Sequence, residues 1–505
     1  MHTKAMLAIA MLAAVITTPR WSVVTRGESA QAAAAPAQRA QAAAAPAETP
    51  PSAESPVAAR QSADFEAMRT FRPGYAFWQH VFFLPDHSIA YGSALNGRLL
   101  ALFPAKGDWK RNARWADPRL AHLLDNQQLA STLDERRDQV AAILERAVGP
   151  VLHNPTRGDA LLPNARRYGS LLAEWGAIYE RFGVPAHIGL AQVILESGMS
   201  ATRRSEANAV GFCQWLQKNW TRLDHLAQTV IEAKNQTTQA PYCAAYLSVL
   251  ATKYGSFIPA LSEHNAGGTN VGRTLINGAQ LGADDVRRQY LLGSKLAHDL
   301  RDLTGKKYEG VYGSYGPRSY LYAEMVFGNT FNVRRLMAST RQMPIYAMRT
   351  TRIIPLAEII ERTHLSPDEV RRFNPALVDR VPVGATLYLP SYVSEFGRDV
   401  AFWRHAPSAS YLAVLDDFLR LSPGPERWDN PAFAPVLKEF RRRFSATNTE
   451  EGAVMATVLW YALGEAGSRR VLLAEFRSRD QVQRLIDRGV LDLNAVRAMQ
   501  SRTSP

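Results

Sequence analysis

Val184-Pro185-Ala186-His187-Ile188-Gly189-Leu190-Ala191-Gln192-Val193-Ile194-Leu195-Glu196-Ser197-Gly198 is a helix written with both of its boundaries. Proline at the first helical position brings a φ already suited to the helix, and Ser197-Gly198 closes it. Everything between is apolar or small except His187 and Gln192, so Glu196 ends an apolar helix. A carboxyl there is surrounded by apolar neighbours and stands at the negative end of the helix dipole, a placement that suits a proton donor. On this stretch alone, a structural carboxyl hydrogen-bonded to a loop is the commoner outcome.

The residues that follow change that balance. Ser205-Glu206-Ala207-Asn208-Ala209-Val210-Gly211-Phe212-Cys213-Gln214 is a small-residue turn with a glycine at a tight approach and a polar side chain just beyond. About fifty residues on stands His264-Asn265-Ala266-Gly267, and further on Gly316-Pro317-Arg318-Ser319-Tyr320-Leu321. In order and spacing these four strings resemble the motifs of the soluble lytic transglycosylase domain, a member of the goose-type lysozyme superfamily. The resemblance covers roughly residues 165 to 338 and is closest to the branch of membrane-bound lytic murein transglycosylase D. Three departures stand out: His264 replaces the usual Tyr, Cys213 replaces a larger apolar residue, and the Glu-Thr that normally precedes the Arg-x-Tyr stretch is missing.

The resemblance implies a lysozyme-like all-α catalytic domain over 161–340 that cleaves the MurNAc–GlcNAc β-1,4 bond of peptidoglycan without water. Glycosidases commonly use two carboxyl groups, and this family is among the substrate-assisted exceptions. Glu196 would protonate the bridging oxygen while the muramyl N-acetyl oxygen closes on C1. The same side chain would then take the proton of the C6 hydroxyl, which attacks C1 and leaves a 1,6-anhydro end. Ser197, Ser205, Gln214, Asn265 and Tyr320 form the implied substrate-binding set: Ser205 on the N-acetyl group, Gln214 and Asn265 on glycan amides or hydroxyls, Tyr320 orienting Glu196. The residues alone also permit Ser205 as a turn residue and Tyr320 as a core aromatic. Two other functions fit the same strings: a lysozyme-like hydrolase, and a wall-binding scaffold without activity.

Beyond this domain the pattern changes. Ile345-Tyr346-Ala347-Met348-Arg349 reads as a short strand, two helical stretches follow (one ending near His364, one from Pro367 to Phe373), and Thr386-Leu387-Tyr388-Leu389 reads as a closing strand before Pro390. This βααβ order over 343–391, with Phe373-Asn374-Pro375 and Val383-Gly384, resembles one LysM module, a type that generally binds N-acetylglucosamine-containing glycans. Thr351-Arg352-Ile353-Ile354 replaces its usual Gly-Asp-Thr loop. Residues 398–505 read as helical again and carry no catalytic constellation; they are a candidate contact for other cell-wall proteins.

The N-terminal end sets the compartment. His2 and Lys4 precede an apolar run from Ala5 to Thr18, the length of a signal-peptide core and too short to span a bilayer. With Ala30-Gln31-Ala32 as a cleavage pattern, residues 1–32 read as a signal peptide, the alternative being an uncleaved N-terminal anchor. The expected location is therefore the periplasm, as a soluble protein, because no cysteine precedes Cys213 to carry a lipid. Residues 33–64, nearly all Ala, Pro, Gln, Ser and Glu, read as a disordered linker, and 65–160 as a helical shoulder of the catalytic domain. The overall expectation is a mainly α protein. A formal charge of +13 calls for an anionic partner. No nucleic-acid motif is present, so the expected partner is peptidoglycan. Cys213 and Cys243 are either one bridge, as export allows, or two small buried hydrophobes. Two cysteines with no paired histidines do not make a metal site, and no cofactor is expected.

Overall fold

The computed structural model describes residues 56–216, 229–303 and 319–393, and the chain there is mainly helical. The expected signal peptide, most of the expected linker and the C-terminal region 398–505 lie outside the described residues. Among the described residues, no helix is long and apolar enough to cross a membrane.

The helices that matter for the site are α1 (Pro56–Phe71), α2 (Trp78–Phe83), α3 (Leu133–Val148), α4 (Leu172–Arg181), α5 (Ala186–Ser197), α6 (Gln236–Tyr254), α7 (Phe257–Ala266), α8 (Gly268–Gln280), α9 (Val286–Leu303) and α10 (Tyr322–Ser339). Helix α5 is the axis of the body. It packs between α4 and α10, and every residue from Ile188 to Ile194 is buried, as expected of a helix apolar on all sides. Gly189 allows the closest of these contacts: a Cβ there would stand 2.1 Å from the Tyr179 ring of α4. Gly198 ends the helix in the left-handed conformation (φ +59°), and its amide returns to the carbonyl of Ile194.

Two expectations for the N-terminal part are corrected. The chain is ordered as a helix from Pro56, inside the stretch expected to be linker. Met68 and Phe65 of α1 pack on the main core, and a polar anchor adds to them: the wholly buried Asp64 carboxylate accepts from Ser256 Oγ (2.7 Å), the Phe257 amide (2.6 Å) and Arg287 Nε (2.6 Å). Burial pushes this carboxyl up from its usual range, and Arg287 with the other donors pulls against it. Such an anchor leaves no trace in composition.

The region 65–160 is also not a helical shoulder. It holds a four-stranded antiparallel sheet of β1 (Ser88–Ser93), β2 (Leu99–Pro104), β3 (Arg114–Trp115) and β4 (Val151–Pro155), in the order β3-β2-β1-β4. Ile89, Tyr91, Leu100 and Phe103 face a separate core with Trp109 and the Val140, Ile143 and Leu144 face of α3, while Ala90 faces the main core. The central strands β1 and β2 are covered on both faces, so Ile89-Ala90-Tyr91 and Leu99–Phe103 read as unbroken apolar runs and not as the alternation that announces a half-exposed strand.

Residues 345–390 follow the expected βααβ order: β7 (Ile345–Arg349), α11 (Leu356–Thr363), α12 (Pro367–Phe373) and β10 (Thr386–Pro390), with β10 antiparallel to β7. A short pair, β8 (Ile354–Pro355) with β9 (Arg380–Val381), closes the loops. The unit has its own core of Ile354, Ile359, Val370, Leu387 and Leu389. It is joined to the helical body by buried polar groups. Asn235 Nδ2 donates to the Phe373 carbonyl (2.7 Å), the hydroxyls of Thr238 and Tyr388 are 2.8 Å apart, and Glu232 Oε1 accepts from Thr386 Oγ1 (2.7 Å) and the Thr386 amide (3.1 Å). Each group is desolvated and satisfied only with the two parts together, so the unit is seated on the body and does not swing on a tether.

Candidate active site

Three helix ends meet at Glu196. The side chain occupies the last turn of α5 and is 13 % exposed, enclosed yet reachable from outside. Tyr322, the first residue of α10, donates its hydroxyl to Glu196 Oε1. Burial first, and the neighbouring Glu196 charge second, push the Tyr322 phenol well above its ordinary range, so it keeps its proton and acts as a donor. His264, in the last turn of α7, brings Nδ1 to 3.4 Å from the same oxygen. Gln192, one turn before Glu196 on α5 and wholly buried, lies against the Tyr322 hydroxyl.

The next carboxyl along α10, Glu324, is turned away. It accepts from Trp78 Nε1 (3.0 Å), and Arg72 Nε lies 3.4 Å from its other oxygen, while burial pushes it up from its usual range. Among the described residues, Glu196 is the carboxyl at which these helix ends meet. Among the described residues, no group of three His, Cys, Asp or Glu side chains is gathered to hold a metal ion.

No protein-family model and no curated protein matches this chain.

The loop after α5 is braced from both sides. Ser197 Oγ donates to the Phe212 carbonyl (2.9 Å) and accepts from the Ser200 amide (3.1 Å). From α6, Gln239 Oε1 accepts from the Phe212 amide (2.7 Å), while Gln239 Nε2 donates to the carbonyls of Ala233 (2.6 Å) and Ala201 (3.1 Å). Gly211, at φ +86°, lets that amide come close: a Cβ would stand 2.6 Å from Gln239 Oε1. A disulfide joins Cys213 to Cys243 on α6, with Cα atoms 6.0 Å apart, which decides between the two alternatives for these cysteines. Within the loop, β5 (Ala209–Val210) pairs with β6 (Trp215–Leu216).

Of the expected set, Glu196 lies enclosed where the three helix ends meet. Ser205 is half-buried in the loop, and its Oγ accepts from the Ala209 amide (3.0 Å), which holds the turn and leaves the hydroxyl proton free to donate. Gln214, also half-buried, donates Nε2 to the carbonyls of Arg203 and Gly211 (both 2.9 Å), leaving its carbonyl oxygen for a ligand. Asn265 follows His264 in the last turn of α7 and is half-buried.

Two assignments are corrected. Ser197 is wholly buried and committed to the loop, so it positions the site and cannot touch a glycan. Tyr320 is not the tyrosine on Glu196. It lies in the short 3-10 turn before α10 with its ring against His298 (centroids 5.2 Å), and Tyr322 takes the expected role. The reason is helical register: α10 packs along α5, and its first residue, not the turn before it, faces the end of that helix. Sequence reasoning also passed over Gln192, a polar residue inside an apolar helix, and Gln239, buried in the polar first turn of α6. Such residues need a buried partner, and that was the available signal.

Proposed function

We propose that this chain is an exported peptidoglycan lytic transglycosylase of lysozyme-like fold, acting through Glu196. The observation that carries the reading is a single enclosed carboxyl at the end of a buried helix, held by a tyrosine hydroxyl, beside a braced loop that bears Ser205 and Gln214. The four sequence strings in their order supply the substrate class.

Protonated Glu196 donates to the oxygen between N-acetylmuramic acid and N-acetylglucosamine, and the muramyl N-acetyl oxygen closes on C1. Tyr322 then steadies the carboxylate, as a positioned donor does where charge develops. The carboxylate recovers a proton from the C6 hydroxyl of the same sugar, whose oxygen attacks C1. One proton leaves Glu196 and one returns; the glycosidic bond breaks as the N-acetyl oxygen–C1 bond forms, and that bond breaks in turn as the C6 oxygen–C1 bond replaces it and the acetamide is restored. An internal nucleophile acts at high effective molarity, which is how one carboxyl can suffice.

The βααβ unit fits a LysM-like role. Its loops expose Ile353, Val378 and Val383, apolar side chains of the kind that sugar faces pack against, and its fixed seat gives the glycan a constant path to Glu196. In this reading the protein works as a soluble periplasmic enzyme on glycan strands.

The test is Glu196→Gln, which keeps the shape and removes the acid. The expected result is a folded protein that releases no anhydro-muropeptides from purified sacculi. Undiminished release would overturn the assignment.

A further inference from the structure

His264 is unusual in its setting. Its side chain is only 4 % exposed, and neither ring nitrogen has a hydrogen-bond partner. An imidazole in that state is costly unless something engages it during function. One face of the ring tilts against Tyr246 of α6 (centroids 5.8 Å), and Nδ1 points to Glu196 Oε1 at 3.4 Å. The charged and titratable groups around the pair are few: Glu196 from α5, Tyr322 from α10, Tyr246 from α6 and, behind Tyr322, Tyr179 from α4. Glu263, the neighbour of His264 on α7, is turned to the Tyr254 hydroxyl (2.5 Å).

We propose that His264 is a positioning residue for Glu196: it closes the 3.4 Å gap to hydrogen-bond the carboxylate left after the first proton transfer. The inference rests on the proposed function. The imidazole donates Nδ1–H to Oε1 alongside the Tyr322 hydroxyl, and a contact that is long in the free protein shortens as charge appears on the carboxylate. No proton leaves the ring.

The experiment is the kcat and KM of anhydro-muropeptide release by the full chain, compared with His264→Tyr and His264→Phe. His264→Tyr keeps a hydroxyl donor, so its kcat stays within about threefold of wild type. His264→Phe loses the donor and falls about 100-fold in kcat with little change in KM. A His264→Phe variant that keeps the wild-type kcat, or a His264→Tyr variant that falls as far as His264→Phe, overturns the inference while leaving Glu196 in place; full activity of Glu196→Gln overturns the function itself. Should the variants be too weak to measure, histidine NMR reads the contact without turnover. The His264 ring signals are expected to shift between wild type and Glu196→Gln, and identical signals refute the contact.

Discussion

Replacing Tyr322 by Phe removes one oxygen and tests the arrangement around Glu196. The ring is buried, so the variant keeps the packing between α10 and α5 and loses the hydroxyl's bond to Oε1 together with its contact to Gln192. A hydrogen bond to a charged group contributes about 1.5–3 kcal/mol. In the proposed reaction a carboxylate forms with the first proton transfer, so most of that loss appears in the barrier. Taking about 2 kcal/mol gives close to a 30-fold fall in kcat, with KM little changed. The assay is the rate of anhydro-muropeptide release from sacculi, with circular dichroism to check folding. Tyr320→Phe is the control, because that ring packs on His298, and it is expected to stay within about threefold of wild type. The reasoning is refuted if Tyr322→Phe keeps its rate, and more decisively if Tyr320→Phe is the variant that loses it.

Two further outcomes follow from the packing. Removing the Cys213–Cys243 bridge, which spans 30 residues, is expected to lower stability by about 3.5 kcal/mol through the entropy of the unfolded chain, measured by denaturant unfolding with and without reductant. His187, whose Nε2 accepts from Gln61 Nε2 (2.8 Å), is held down to about 4 by burial first and the Arg334 charge second. The unfolded chain therefore takes up this proton near pH 6.5 and the folded chain only near pH 4. The stabilisation is present in full above 6.5 and disappears as pH falls toward 4. Its loss is at most about 3 kcal/mol, and His187→Gln should flatten unfolding free energy measured across that range.

The central helix was legible because proline, an apolar run and Ser197-Gly198 state its beginning, interior and end within one window. The βααβ unit was legible for the same reason, each element being bounded by its own turn residues. What escaped was settled by distant partners. The strands around Ile89 and Leu100 are covered on both faces and lack the alternation that marks a strand. Helix α1 is anchored by Asp64, whose three donors come from residues about two hundred positions away. At the site, Glu196 and the loop after it could be read locally. The partner tyrosine could not, because two tyrosines two residues apart differ only in which one begins α10. Ser197 looked available beside Glu196, yet successive residues on a helix point in different directions, and this one points into the loop.

The most direct measurement is the chemistry of the new glycan end formed in water labelled with oxygen-18. The account predicts 1,6-anhydro-muramyl ends with no label, because the C6 oxygen of the sugar itself attacks C1. Reducing ends that carry the label would mean that water is the nucleophile, and would contradict it.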